Sequence, residues 1–322
     1  MKIGRAAVVT DTGKRRLGNE DAYVFEPPLF AIADGMGGAR AGEIAADLAA
    51  SALEEASAET RDAAELATVI AEANRRVWER SRADPATAGM GTTVTIALVD
   101  ASAGTILFGH VGDSRAYRLR DGILEQVTTD HSLVAELVES GVLTPEEAER
   151  HPQRSAITKA VGTEPSVDAD VFTLDTLPSD LFLLCSDGLS DMLSEEEIAA
   201  AIESANRDPE AAGDALVAAA NARGGEDNIT VVLFEIVDDD APDPLPEHEP
   251  VIQETASPAT GELTDGDRPM EASEPAAAVS AAAEPEQEPT RHGAGPGGRI
   301  AALALIVSVL AIGLLVLYLA VR

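Results

Sequence analysis

Leu29-Phe30-Ala31-Ile32-Ala33-Asp34-Gly35-Met36-Gly37-Gly38 is an apolar run that ends in an aspartate and a glycine-rich turn. Such a run reads as a buried strand. A carboxylate at its end is costly to bury unless something satisfies it, and the glycines let backbone approach an ion closely. Four more acidic motifs sit at strand edges: Arg16-Leu17-Gly18-Asn19-Glu20-Asp21, Gly112-Asp113-Ser114-Arg115, Ser186-Asp187-Gly188-Leu189 and Glu226-Asp227-Asn228-Ile229-Thr230. Each alone is an ordinary turn. Together they imply carboxylates that repel one another unless cations lie between them. An oxygen-only ligand set suits Mg²⁺ or Mn²⁺ rather than Zn²⁺.

Working outward, apolar runs of strand type recur at 6–10, 29–33, 94–99, 105–110, 116–119, 181–185 and 229–236, many rich in Val, Ile and Thr. Helix patterns lie between them. Ile44, Leu48 and Ser51/Ala52 share one face, as do Leu66, Ile70, Ala73 and Val77. Thr144 with Glu147 and Ser194 with Glu197 form capping boxes, and Asp208-Pro209 is a third helix start. Strands and helices come in groups rather than in strict alternation, which predicts an α+β layered domain.

Aromatics make up only 3% of the 322 residues, so the core must be built from Ala, Val, Ile and Leu. A net charge of −34 argues against a nucleic-acid partner, since phosphates repel such a surface. The single cysteine, Cys185, excludes an internal disulfide and reads as a small core residue. Residues 1–9 lack the apolar stretch of a signal peptide.

Three segments follow: a globular domain over 1–237, a linker over 238–298 and a membrane helix over 299–322. The linker holds 15 acidic residues against Arg268 and Arg291, and is expected to stay extended and disordered. Residues 300–321 carry no charge, and 22 residues at 1.5 Å each make a helix of roughly 33 Å, long enough to span a bilayer.

The motifs resemble those of the metal-dependent protein phosphatases of the 2C type, over residues 4 to about 236. Gly13, Arg16, Asn19, Glu20 and Asp21 stand at the family's spacing. After them come Asp34-Gly35-Met36-Gly37-Gly38, Gly91-Thr92-Thr93, Gly112-Asp113-Ser114-Arg115, Thr129-Asp130-His131-Ser132, Ser186-Asp187-Gly188 and Gly225-Glu226-Asp227-Asn228-Ile229-Thr230. The Met-Gly-Gly form is similar to the bacterial branch. The resemblance implies a four-layer αββα sandwich, with two central, mostly antiparallel sheets flanked by helix pairs. It also implies hydrolysis of phosphoserine and phosphothreonine on proteins, by a metal-activated water and without a phosphoenzyme.

It implies roles as well. Two Mn²⁺ or Mg²⁺ ions share Asp34, the Gly35 carbonyl binds one of them, and Asp187 and Asp227 complete the coordination of the second ion. Asp113 helps hold a third, weaker ion. Glu20 and Asp21 orient metal-bound water, and Arg16 grips the substrate phosphate with a planar fork. Residues 145–161 correspond to a flap beside the site. Met36 stands where eukaryotic relatives carry a His, so no histidine acid transfers to this chain.

None of His110, His131, His151, His248 and His292 has zinc-site spacing. His110 reads as a core residue and His131 as a structural one. The glycines at 35, 37 and 38 lack the Lys-Ser/Thr of a phosphate-binding loop. The expected partners are phosphorylated proteins, membrane-bound Ser/Thr kinases among them, met by a monomeric catalytic domain on the cytoplasmic side of the cell membrane. Two other readings stay open: a phosphatase of one partner in a sigma-factor switch, and an inactive membrane-tethered binding module.

Overall fold

The structure is a computed structural model. It describes residues 1–37, 41–56, 60, 62–148 and 150–242, and the backbone of 251–253. In chain order the elements are β1 (Lys2–Asp11), β2 (Asp21–Glu26), β3 (Leu29–Met36), α1 (Ala41–Ala56), α2 (Ala63–Ala83), β4 (Gly91–Thr92), β5 (Val94–Asp100), β6 (Thr105–Val111), β7 (Arg115–Arg120) and β8 (Ile123–Gln126). They continue with α3 (Leu133–Glu139), α4 (Pro145–Ala148), β9 (Asp170–Asp175), β10 (Leu181–Cys185), α5 (Asp187–Ser190), α6 (Glu195–Ser204), α7 (Pro209–Ala222), β11 (Ile229–Val237) and β12 (Val251–Gln253).

One sheet runs β12-β1-β11-β10-β7-β8 and the other β2-β3-β5-β6-β9, with β4 pairing β3. All pairs are antiparallel except β1 with β12. Three apolar layers separate four structural ones. Phe30, Phe108, Phe182 and Phe234 fill the space between the sheets, and Phe30 stacks on Phe234 at 4.3 Å between centroids. Leu53, Leu66, Ile70 and Val77 pack α1 and α2 onto the second sheet. Ile198, Ile202, Leu216 and Val217 pack α6 and α7 onto the first. This is the expected αββα arrangement, and the few aromatics are concentrated in its middle layer.

The capping boxes at Thr144 and Ser194 form, and Asp208 caps α7. The α2 face of Leu66, Ile70, Ala73 and Val77 is buried as its spacing predicts. The α1 face is buried in part: Ala52 is buried and Ile44 and Leu48 pack half-buried against the core, Ser51 is exposed, and Ala45, Ala46, Ala49 and Ala50 are buried beside them. Small side chains let α1 lie close against β3, and larger ones move to the margin of the contact. Strands β8 and β9 have no long apolar run of their own, because each is a half-buried edge strand, and the run Ala22–Phe25 of edge strand β2 was not singled out in the sequence.

The expected linker is interrupted. Residues 251–253, inside 238–298, pair in parallel with β1, whose outer edge is otherwise unpaired. Val251 and Ile252 are β-branched, which favours a strand within an otherwise polar segment. The rest of the linker from 254, and the whole expected membrane helix at 299–322, lie outside the described residues, as does Gly38. Among the described residues no helix is long and apolar enough to cross a membrane.

Candidate active site

Asp34 sits near the end of β3, directly across the β2–β3 ladder from Asp21. Its backbone is pinned from both sides. The Asp34 N–H donates to Thr93 Oγ1 at 3.0 Å, and the Asp34 carbonyl accepts from Thr92 Oγ1 at 2.8 Å and from Thr93 N at 2.9 Å. The Gly91-Thr92-Thr93 motif thus fixes the strand end that carries the aspartate.

Gly35 and Gly42 touch backbone to backbone. A Cβ on Gly35 would lie 2.4 Å from the Gly42 carbonyl carbon, and one on Gly42 would lie 2.6 Å from Glu20 Oε2. The contact seats the start of α1 against the acidic strand end and brings the Glu20 carboxylate alongside. Gly42 was not legible as a site residue, since a lone glycine near a helix start carries no distinctive signal.

The remaining residues come from distant parts of the chain. Asp21 Oδ2 accepts from Thr230 Oγ1 at 2.6 Å and Ser186 Oγ at 2.9 Å. Asn228 ties the 12–20 loop to the start of β11: its Oδ1 accepts from Glu20 N at 2.8 Å, and its Nδ2 donates to the carbonyls of Thr12 and Gly18 at 2.9 and 3.0 Å. Arg16 Nη2 donates to Asp227 Oδ2 at 2.5 Å. Sequence motifs place Ser186, Asn228 and Thr230, but their partners are 165 to 209 residues away.

Electrostatics define the cluster. The carboxyl of Asp34 is raised well above its ordinary pKa by burial, then by Asp21, Asp187, Asp113 and Asp227. Asp187 is raised well above its ordinary value too, by burial, then by Asp113 and Asp227. Burial pushes Asp113 up to about 7 and Asp21 up to about 6. The five aspartates expected at the centre are therefore brought together. They are joined by Asp191, which acts on both Asp113 and Asp187 and was not singled out in the sequence. Arg154 and Ser155, from the expected flap, reach Asp191 at 3.2 and 3.4 Å.

The oxygens suit hard cations. Among the described residues, Asp21 Oδ1 and Asp113 Oδ1 are buried with no hydrogen-bond partner, as befits atoms whose natural partner is an ion. Among the described residues, however, no three His, Cys, Asp or Glu side chains already form a shell able to hold one. The side-chain partners explain the difference: Asp227 is drawn to Arg16, and Asp21 Oδ2 to two hydroxyls.

The two histidines near the centre are structural. His110 is buried, with Nδ1 and Nε2 bonded to Thr95 Oγ1 and the Thr129 carbonyl. His131 Nδ1 accepts from Gly112 N at 3.1 Å, and His131 N donates to the Gly112 carbonyl at 2.7 Å. This contact, with the Arg115–Asp130 ion pair at 2.7 Å, locks the turn that carries Asp113. Cys185 is a core residue whose thiol burial pushes up to about 12.

Residues 15–219 match the family model described as protein phosphatase 2C. The chain belongs to the protein phosphatase 2C family. It is 40% identical over 238 residues to the serine/threonine phosphatase stp of Listeria monocytogenes, covering 70% of this chain and 93% of that one. It is 41% identical over 242 residues to the serine/threonine protein phosphatase PstP of Mycobacterium tuberculosis, covering 73% of this chain and 46% of that one. The crystal structure of the Mycobacterium tuberculosis phosphatase PstP/Ppp superposes with a TM-score of 0.69 at 37% identity, covering 74% of this chain and all of that one. A structure of the PstP catalytic domain holding two manganese ions superposes at 0.67 with 36% identity, covering 73% and 99%. This member of the protein phosphatase 2C family is a serine/threonine protein phosphatase, which disfavours the reading as an inactive binding module.

Proposed function

We propose that the chain hydrolyses phosphoserine and phosphothreonine on proteins at a two-ion Mn²⁺ or Mg²⁺ centre, and reverses bacterial Ser/Thr kinase signalling at a membrane. The observation that carries the site is the Asp34 carboxylate, crowded by Asp21, Asp113, Asp187 and Asp227 in a fold shared with a two-manganese relative. Asp34 would be common to both ions, with the Gly35 carbonyl on one and Asp187 and Asp227 on the other. Asp113 would serve a third, weaker ion. Divalent ions there supply Lewis acidity that lowers the pKa of water and offsets charge on the phosphoryl oxygens.

The chain's own residues supply the rest. Arg16, exposed on the loop after β1, would exchange Asp227 for two phosphoryl oxygens and orient the substrate. Glu20, held beside Gly42, and Asp21, held by Ser186 and Thr230, would position the attacking water. Met36 leaves the departing alkoxide without a histidine acid.

The membrane role rests on sequence. The uncharged run at 300–321 would anchor the catalytic domain, 1–237, through the acidic segment 238–298. The 45 residues 254–298, behaving as a coil, would reach roughly 35–40 Å, which would concentrate the enzyme near membrane-bound kinases and their targets. Kinases use cytoplasmic ATP, so the catalytic domain would lie on that side.

Mn²⁺-dependent release of phosphate from a phosphothreonine peptide, abolished in Asp34→Asn, tests the site. Equal activity in the variant would refute it. Protease treatment of right-side-out vesicles carrying the full-length protein tests the topology, and a shielded catalytic domain is the expected result.

A further inference from the structure

Outside the acidic centre, a cavity of about 510 Å³ lies between the end of α2, the 84–90 turn and the 162–163 loop, lined in part by Trp78, Arg82, Pro85, Gly89 and Gly162. The Arg82 guanidinium stands 5.2 Å from the centre of the Trp78 ring. Arg82 is exposed, and among the described residues it has no carboxylate partner, although the chain carries 57 acidic residues. Its neighbours do: Arg75 and Arg76 bind Glu72, and Arg80 pairs with Asp84. A guanidinium held against an indole face keeps the N–H donors on its edge aligned for a planar oxyanion.

The walls of the cavity are built firmly. Asn74, buried in α2, accepts from Gly162 N at 2.7 Å and donates to the Glu164 carbonyl at 3.1 Å. The same walls run to the active site. Gly89 leads through Met90 to Gly91, which pairs with Met36. Gly162 follows Val161, which pairs with Thr92, the residue that pins Asp34. A Cβ on Gly37 would lie 2.8 Å from Met90 Cα, so the cavity wall and the Asp34–Gly37 segment are in contact.

We propose that this cavity is a substrate-docking site for an acidic side chain of the phosphoprotein. The carboxylate lies on the edge of Arg82, and the neighbouring residue rests on Trp78 and Pro85. The chain path from Asp34 through Gly37 to the cavity wall is about four residues, which bounds the separation at roughly 14 Å, so the acidic position is placed about four residues from the phosphorylated one. The proposal rests on the phosphatase reading of the acidic centre and names a sequence preference for it.

Trp78 is the only tryptophan in the chain, so its fluorescence reports on the cavity without any turnover. The full-length protein is titrated with an unphosphorylated peptide carrying Glu four residues from Ala, and with the same peptide carrying Gln. The Glu peptide is expected to change the emission saturably, with about tenfold tighter binding than the Gln peptide, a difference that disappears in Arg82→Gln. With Mn²⁺, the kcat/KM ratio of the phosphothreonine forms of the two peptides is expected to fall from about ten to about one in that variant. Identical titrations for both peptides, or an unchanged ratio in Arg82→Gln, would overturn the docking site. Sodium acetate matching the Glu peptide's affinity would overturn it too, in favour of a small-anion site. Saturable Glu-selective fluorescence without hydrolysis of either phosphopeptide would retain the cavity and remove the catalytic reading instead.

Discussion

Arg16 and Asp227, 211 residues apart, are joined by a 2.5 Å hydrogen bond between the loop after β1 and the turn before β11. A residue proposed to bind phosphate thus rests on a residue proposed to bind an ion, and the carboxylate keeps the guanidinium firmly charged. Arg16→Ala should lower kcat/KM on phosphopeptides by about 100-fold, the scale of one or two charge-assisted hydrogen bonds. Arg16→Lys should recover little of this, because an ammonium cannot make the planar two-point contact. Full recovery in the lysine variant, measured by steady-state kinetics, would remove the fork argument.

Like charges packed around Asp34 strain the ion-free protein, and divalent ions relieve them. At 100 times its Kd, Mn²⁺ should stabilise the domain by about 2.7 kcal/mol. For a domain of this size that corresponds to roughly 5–10 °C in Tm. Asp34→Asn should lose most of this rise while melting no lower than the wild type in chelator. A calorimetric scan with and without Mn²⁺ checks both.

Gly42 has no room for a methyl group, because its Cβ would land 2.7 Å from the Gly35 backbone. Gly42→Ala should therefore shift α1 away from β3, costing about 1–3 kcal/mol and weakening Mn²⁺ binding. Unfolding in urea and an Mn²⁺ titration measure the two effects. An unchanged Mn²⁺ affinity would show that this contact does not shape the centre.

His110 carries the clearest pH signature. Burial, aided by His131, depresses it to about 4 from the 6.5 of the free side chain. Between those values the unfolded chain binds the proton and the folded one does not, so stability rises with pH across this window. The contribution is complete above pH 6.5 and disappears as pH falls toward 4, roughly 3 kcal/mol in all. Replacing His110 with Asn should flatten the pH dependence of stability between 4 and 6.5 relative to wild type. Parallel curves would show that His110 titrates normally.

Much of this protein is readable one segment at a time. The run before Asp34, the capping boxes at Thr144 and Ser194, and the Leu66/Ile70/Ala73/Val77 stripe report local energetics: pleat, cap and helical period. The acidic motifs show which aspartates matter because each lies at a strand edge, with Asp34, Asp113 and Asp187 beside a glycine. The α1 face was legible only in part, since Ile44, Leu48 and Ala52 do pack on the core but the closest approach to β3 is made by the alanines beside them.

Folding decided the rest. Coulomb energy falls with distance, so an aspartate's ionisation depends on what lies within a few ångströms. Asp21 meets Thr230, and Asp34 meets Asp187, only after both sheets have closed. The contact of Gly42 with Gly35, the arrival of Asp191 beside Asp113 and the placing of the Arg82 guanidinium over Trp78 likewise belong to packing. Local pattern along the chain sets the elements and the chemistry of each side chain. Which of those side chains become neighbours is set by folding, because contacts between residues some 200 positions apart leave no periodic trace in the chain.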